Sequence, residues 1–392
     1  MNKLRFLIIR VKRRLKKTAL LFLAGLCRSI VVFAPIYTKD NEKDGYIQRI
    51  KTIDETVLSK HIRFYITGDH PELEQLRIKR NGKGIYSVEF NSGNIPQLSF
   101  INDLITKCGI LYIHSVYRLL SINTNDKTLE LLDIPKLKII WDVHGAVPEE
   151  CHLLGNYEIE QIASKVEKRL YEVSDVIICV SRAMEIHLED KYGEKGSSVF
   201  ILLPIVRNTS KNHLNKTEII KNRSVDGKPV VIYSGGLQKW QNVIEMIKLA
   251  KATADYYDYR FLVPDPQRLI EMIPADILGK IQIRSASAYE IEKDYRECHF
   301  GLLLRDDNIV NSVACPTKIV EYLEYGVLPV LKSENIGDFK ELGMKYVCIE
   351  DFVKGSAVSE KERCEMAMAN TEVLQTIIDQ QKKGSSLLKT KI

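Results

Sequence analysis

At 392 residues, 45% of them hydrophobic and 28% charged, the chain falls among soluble globular proteins and is too long for one comfortable core, so two domains are expected. The net charge of +6 is local: nine of the 57 basic residues and none of the 51 acidic ones lie in residues 1–29, which leaves the remainder at −3 and excludes a nucleic-acid-binding body. Eight scattered cysteines with no CxxC pair, and no histidine cluster at metal-ligand spacing, predict free thiols in a reducing cytoplasm and no metal centre.

Residues 1–28 form the first segment. Arg10, Lys12, Arg13, Arg14, Lys16 and Lys17 make a basic block, and Leu4, Ile8, Val11, Leu15, Ala19, Phe22 and Leu26 recur at helical spacing. A helix of this kind lies on an anionic membrane surface, each basic residue contributing about 1 kcal/mol before screening. The apolar run from Ala19 stops at Cys27–Arg28, short of the ~20 residues of a membrane span. No small-x-small cleavage site follows it cleanly, which speaks against a signal peptide. A helix packed on the body, or a disordered tail, is the rival to peripheral attachment at the inner face of the cytoplasmic membrane.

Strands and helices then alternate over residues 29–206. Apolar runs at Ser29–Pro35, Ile62–Thr67, Tyr86–Phe90, Ile110–His114, Lys138–Asp142, Val176–Val180 and Val199–Leu203 read as buried parallel strands. Ile159, Ile162, Val166, Leu170 and Val173 mark a helix between two of them. Residues 207–228 are polar and read as a linker. A second set of strands follows over 229–355, at Val230–Ser234, Phe261–Val263, Ile281–Ile283, Phe300–Leu304 and Val327–Leu331, and residues 356–392 carry a C-terminal helix. The pattern is α/β, two doubly wound Rossmann-like domains facing a cleft, with ligands at the carboxyl ends of the strands.

Asn311–Leu331 (NSVACPTKIVEYLEYGVLPVL) is the most informative stretch. It reads as a helix entered at Pro316, left at Gly326 and followed by a strand. Ile319, Val320 and Leu323 face the core on this reading; Lys318, Glu321, Tyr322 and Tyr325 take the other side. A helix N-terminus with Lys318 in its first turn attracts a phosphate, and Glu321 one turn on can accept from sugar hydroxyls. The loop Ser234–Asn242 follows a strand and opens a helix, and Gly235 and Gly236 let its backbone approach a phosphate. Lys239 and Arg305 are the cations at hand.

Pro316, Lys318, Glu321, Tyr322, Leu323, Gly326, Pro329 and Val330 match in order the pattern S-P-x-K-x-x-E-Y-L-x-x-G-x-P-V. The stretch thereby resembles the donor-site helix of retaining glycosyltransferases of GT-B fold, family four, of the bacterial surface and capsular polysaccharide type. Trp141–Glu150 (WDVHGAVPEE) is similar to that family's D-x-H-G-x-x-P-E segment. The resemblance implies a UDP- or GDP-sugar donor, retention, no metal requirement, and a role for His144 at the donor sugar. It also implies that Glu321 contacts the donor ribose, and that Asn311 or Ser312 contacts the sugar. Position supplies the acceptor side: Asp44, Gly45 and Tyr46, in the loop Lys39–Tyr46 at the carboxyl end of the first strand, with His114 after the fourth strand and Glu149 as a carboxylate to orient a hydroxyl, for a lipid-linked or oligosaccharide acceptor.

The sequence departs from the family in two places. Gly236 and Gln241 stand where the family has an arginine and a lysine, so Lys239 and Arg305 must take over the diphosphate. Val313 stands where it has the first of two glutamates. A catalytically silent GT-B partner or scaffold, and a nucleotide-sugar epimerase of GT-B fold, are the competing readings.

Overall fold

The computed structural model describes residues 17–25, 28–38, 41, 44–121, 129–196, 198–206, 227–355 and 358–392. Apart from Lys17 the basic block lies outside them, as do residues 207–226 of the expected linker and Lys39, Asp40, Glu42 and Lys43 of the loop before Asp44. The chain divides into two compact units. Met1–Cys179, Leu188–Ile201 and Ser385–Ile392 make the first, and Val180–His187 with Leu202–Gly384 the second.

In the first unit the strands are β1 (Ser29–Phe33), β2 (Ile62–Asp69), β3 (Arg77–Gly82), β4 (Ile85–Phe90), β5 (Ile110–His114), β6 (Lys138–Val143), β7 (Val176–Cys179) and β8 (Val199–Leu202). They form one sheet in the order β3-β4-β2-β1-β5-β6-β7-β8. The central strands are mostly apolar and mostly buried; every residue of SIVVF in β1 is buried. β3 is paired antiparallel with β4, and its sequence RIKRNG is largely exposed. The expected strands omit it because charge takes the place of alternation there, and charge is what keeps a free sheet edge from pairing elsewhere.

Two expectations about helix faces are corrected. In the helix Tyr157–Val173 the buried residues are Ala163, Val166, Glu167, Leu170 and Tyr171, while Ile159 and Ile162 are exposed. The apolar stripe begins one turn later than its spacing suggests. Residues 17–25 are helical and bury Leu20 and Ala24, whereas Ala19 and Phe22, members of the expected stripe, face outward. Apolar residues surround this turn of helix, so periodicity alone does not choose the buried side. Lys17 lies over the Phe100 ring with its Nζ 5.5 Å from the centroid. Among the described residues no helix is long and apolar enough to cross a membrane.

The second unit contains β9 (Val230–Ser234), β10 (Asp258–Leu262), β11 (Ile281–Arg284), β12 (Phe300–Leu303), β13 (Leu328–Leu331) and β14 (Val347–Cys348). The order is β11-β10-β9-β12-β13-β14, and each neighbouring pair is parallel. A helix, Thr317–Glu324, leads from the β12 side into β13, with Pro316 at its N-cap and Gly326 at φ 63° just past its end. Tyr322 and Tyr325 do not join its polar face. They are buried in a core with Ile232, Leu262, Tyr295, Cys298 and Val327. The Tyr322 ring lies flat on Gly301 of β12, where any Cβ would overlap it, and its hydroxyl donates to the Leu302 carbonyl at 3.2 Å.

Gly301→Ala should therefore destabilise the second unit by about 1–3 kcal/mol, the range for overpacking a filled core. The check is the midpoint of urea unfolding, and an unchanged midpoint would show that Tyr322 can move aside freely.

Candidate functional site

Ser234 ends β9, and the chain turns through Gly235 and Gly236 into a short 3-10 turn, Lys239–Gln241. Asn242 follows at φ 57°, and the helix Val243–Thr253 begins after it. The Asn242 side chain donates to the Leu304 carbonyl (3.1 Å), Asp306 (3.3 Å) and Glu245 (2.7 Å), which fastens this loop to the end of β12. The Gly235 N–H donates to the Leu262 carbonyl at 2.9 Å. The end of the Lys318 side chain lies against Gly235, in the space that a Cβ there would take.

Lys318 is half-buried in the first turn of its helix. Its Nζ lies 5.6 Å from the centre of the Tyr233 ring and has no hydrogen bond or ion pair among the described residues. Burial first, then the Arg305 charge, push its ammonium down to about 7 against a smaller opposing effect of Glu321. Arg305, just past β12, is buried and reaches Asn311 Oδ1 and Gln241 Oε1, each at 3.4 Å. The aspartates next to it are engaged elsewhere: Asp306 pairs with Lys332 at 2.7 Å and Asp307 accepts from Asn335 at 3.0 Å.

Other predicted residues sit deeper or further out. Glu321 is buried and accepts from the Tyr295 hydroxyl at 2.7 Å, and Tyr295 in turn bonds Ser234 Oγ. Asn311 is fully buried, and its amide nitrogen donates to the Asp306 carbonyl at 2.9 Å, so it holds the loop 306–311 in shape. Ser312 Oγ donates to the Ile309 carbonyl at 3.2 Å. Lys239 is exposed on its turn. Val313 is buried, and its carbonyl accepts from Ser181 Oγ at 2.6 Å. Ser181 Oγ also accepts from the Met184 N–H at 3.0 Å, which caps the helix Arg182–Tyr192.

In the first unit the register of β5 on β6 sets His114 beside Asp142. Because side chains alternate along a strand, Tyr112 and His114 share one face with Asp142 and the next alternate residue, His144. Arg49, from the helix Gly45–Thr56, closes this cluster: its Nε lies 2.9 Å from Asp142 Oδ1 and its Nη2 2.5 Å from the same oxygen. The Tyr112 hydroxyl donates to Asp142 Oδ2 at 3.1 Å. His114 Nδ1 and His144 Nε2 are 3.0 Å apart, and lie 3.3 and 3.4 Å from that oxygen. Burial pushes the Asp142 carboxyl up, but Arg49, with His144 and His114, overrides it and holds the group well below the usual carboxylate range. Burial lowers both imidazoles, His144 to about 4, so both are neutral near pH 7.

Two imidazoles and a carboxylate are a metal-binding donor set, and these three residues are the one such group found among the described residues. The Arg49 guanidinium already neutralises the carboxylate and opposes a second cation there.

Tyr46 stacks at a tilt against His144, centroids 4.8 Å apart, and its hydroxyl donates to the His114 carbonyl at 2.9 Å. Arg118 lies over the Tyr46 ring at 5.3 Å. Asp44 caps the helix that Gly45 begins, accepting from the Tyr46 N–H at 2.8 Å. Glu149 stands apart, ion-paired to Lys191 at 2.7 Å beside the buried Glu167. Sequence reasoning missed Arg49, Tyr112 and Tyr295. Arg49 had a signal: it interrupts the apolar face of Ile47, Ile50 and Ile53, all buried with it.

The fold is of the GT-B class, two Rossmann-like α/β units each built on a parallel sheet. Among solved structures the chain is similar to HepE from Anabaena in complex with UDP-glucose, at 11% identity and a TM-score of 0.62, covering 93% of this chain and 100% of that one. It is also similar to sucrose-phosphate synthase from Thermosynechococcus elongatus (11%, 0.61, covering 89% and 94%) and to OtsA in its apo form (12%, 0.59, covering 92% and 99%). No protein-family model matches the chain, and no curated protein matches it by sequence.

Proposed function

We propose that the chain is a glycosyltransferase that takes its sugar from a nucleotide diphosphate, with the second unit as the donor site. The observation that carries this reading is Lys318. An ammonium group is held half-buried at a helix N-terminus, against a glycine backbone and near Arg305, with no carboxylate bonded to it among the described residues. A diphosphate supplies that anion, at a helix N-terminus and with charge-assisted hydrogen bonds. Solved structures of the same fold support the reading: HepE binds UDP and UDP-glucose, and a trehalose-6-phosphate structure from E. coli holds UDP-2-fluoro glucose.

The finer assignments follow the resemblance. Lys318 and Arg305, with Gly235, Gly236 and Lys239, neutralise the leaving diphosphate without a metal. Glu321 takes the ribose hydroxyls, Tyr295 holding its second oxygen in place. His144 serves the donor sugar, and transfer proceeds with retention to a lipid-linked or oligosaccharide acceptor in cell-surface polysaccharide synthesis. Residues 1–28 attach the protein to the inner membrane face, and removing them should abolish its membrane fractionation.

Calorimetric titration across UDP- and GDP-sugars, followed by a nucleotide-release assay, tests the main reading. Glu321→Ala is expected to weaken binding of the productive nucleotide about tenfold, the loss of one to two hydrogen bonds to a carboxylate. Unchanged affinity in that variant would remove the donor-site assignment. Failure of every nucleotide sugar to bind would favour the silent scaffold, for which Gln241, turned toward Arg305 where the family has a lysine, is the supporting observation.

A further inference from the structure

His114 and His144 form a neutral imidazole pair, and a hydrogen bond between two neutral rings places the shared proton on one of them. Two arrangements satisfy the 3.0 Å contact between His114 Nδ1 and His144 Nε2. In one, His144 donates from Nε2; His114 must then carry its proton on Nε2. That atom is buried without a hydrogen-bond partner, so an N–H would be stranded there. Asp142 Oδ2 lies 3.3 Å from His114 Nδ1 and 3.4 Å from His144 Nε2, so it accepts from whichever of the two carries the proton and does not itself choose between them. In the other, His114 carries its proton on Nδ1, where His144 Nε2 and the Asp142 carboxylate are both acceptors. Only a lone pair is then left at the buried His114 Nε2.

We propose that His114 is a positioning residue that fixes His144 as its Nδ1–H tautomer. The pair then turns a hydrogen-bond donor, and not an acceptor, toward whatever His144 binds. His144 keeps a tenth of its side-chain surface open, and Nδ1 has no hydrogen-bond partner among the described residues. On the reading that His144 serves the donor sugar, the group it meets is a hydroxyl oxygen accepting from Nδ1–H. His144 is then unfit to remove a proton in the transfer step, because its only lone pair is occupied by His114. The buried Asp142 carboxylate accepts from the pair, and Arg49 keeps its charge from drawing a second proton there.

The test reads the tautomer directly. In protein with 15N-labelled histidine, the His144 signals are assigned by their loss in His144→Gln. They should show a protonated, pyrrole-type Nδ1 and a bare, pyridine-type Nε2 at pH 7. The opposite pattern overturns the proposal. In His114→Leu the donor to Nε2 is gone, so His144 should switch to Nε2–H with Asp142 as acceptor, and turnover should fall about tenfold. His114→Asn, whose amide can donate from a similar position, should restore both the Nδ1–H pattern and most of the turnover. A His114→Leu protein that folds and keeps the native tautomer also overturns the proposal. The NMR readout needs no substrate, so absence of glycosyl transfer would defeat the functional reading while leaving the tautomer assignment standing.

Discussion

Replacing Arg49 by alanine should cost the first unit about 3–5 kcal/mol, the range for breaking a buried ion pair from one side. The pair is 3% and 0% exposed, and the guanidinium contacts both carboxylate oxygens, the second at 3.1 Å. Alanine leaves Asp142 as an uncompensated charge among two neutral imidazoles and a tyrosine. Urea unfolding at pH 7 measures the loss, and a cost below about 1 kcal/mol would mean that water replaces the guanidinium. The pH dependence supplies an independent check. His144, lowered to about 4 in the native protein, is uncharged there while the unfolded chain takes up its proton near 6.5. Stability from this group is therefore full above about 6.5, falls as pH drops toward 4, and levels off below. Asp142 acts in the other window: its folded carboxyl is depressed, so its contribution persists above the usual carboxylate range and is lost only at lower pH. Without Arg49 the bare carboxylate draws a proton onto the imidazole pair. The slope between pH 6.5 and 4 should then flatten, even though the variant is less stable at pH 7.

The strands were legible because burial on both faces leaves a continuous apolar run, as in SIVVF of β1 and VVIYS of β9. β3 was not, because an edge strand is selected for charge, and two-residue β14 is too short to carry a pattern. Aromatic residues defeat face assignment for another reason. Tyr322 has both a ring to bury and a hydroxyl to expose, and only Gly301, 21 positions earlier, reveals that the ring goes inward. At the site, the local features were readable: the Gly-Gly turn, Lys318 in a first turn, and His144 after a strand. What could not be read was partnership. Arg49 reaches Asp142 across 93 residues, and Tyr295 reaches Glu321 across 26. Such pairings follow from register and sheet order, which local spacing does not encode.

Removing the Lys318 charge should produce two opposite effects. UDP binding should weaken about 10- to 100-fold in Lys318→Met, since a hydrogen bond to a charged group contributes roughly 1.5–3 kcal/mol. The ligand-free protein should become more stable, because burial and Arg305 make the charged ammonium unfavourable in the folded state. The sign follows from where the proton sits. The folded group titrates near 7 and the unfolded one near 10.5, so between those values the unfolded chain binds more protons and native stability rises with pH. Methionine fills similar volume and removes that slope, which raises stability most near neutral pH and below. A diphosphate reverses the preference, since it stabilises the ammonium that the empty site disfavours. Binding by the native protein should take up a proton above pH 7, and UDP affinity should fall by at most tenfold per pH unit from there toward 9. In Lys318→Met that dependence should vanish. Calorimetric titration in buffers of different ionisation enthalpy measures the proton directly. An affinity that ignores pH between 7 and 9 in the native protein, or that survives the substitution, would place the phosphate elsewhere. A gain in stability joined to a loss of binding is what separates a ligand-site lysine from a structural one, whose removal weakens the fold and leaves the ligand alone.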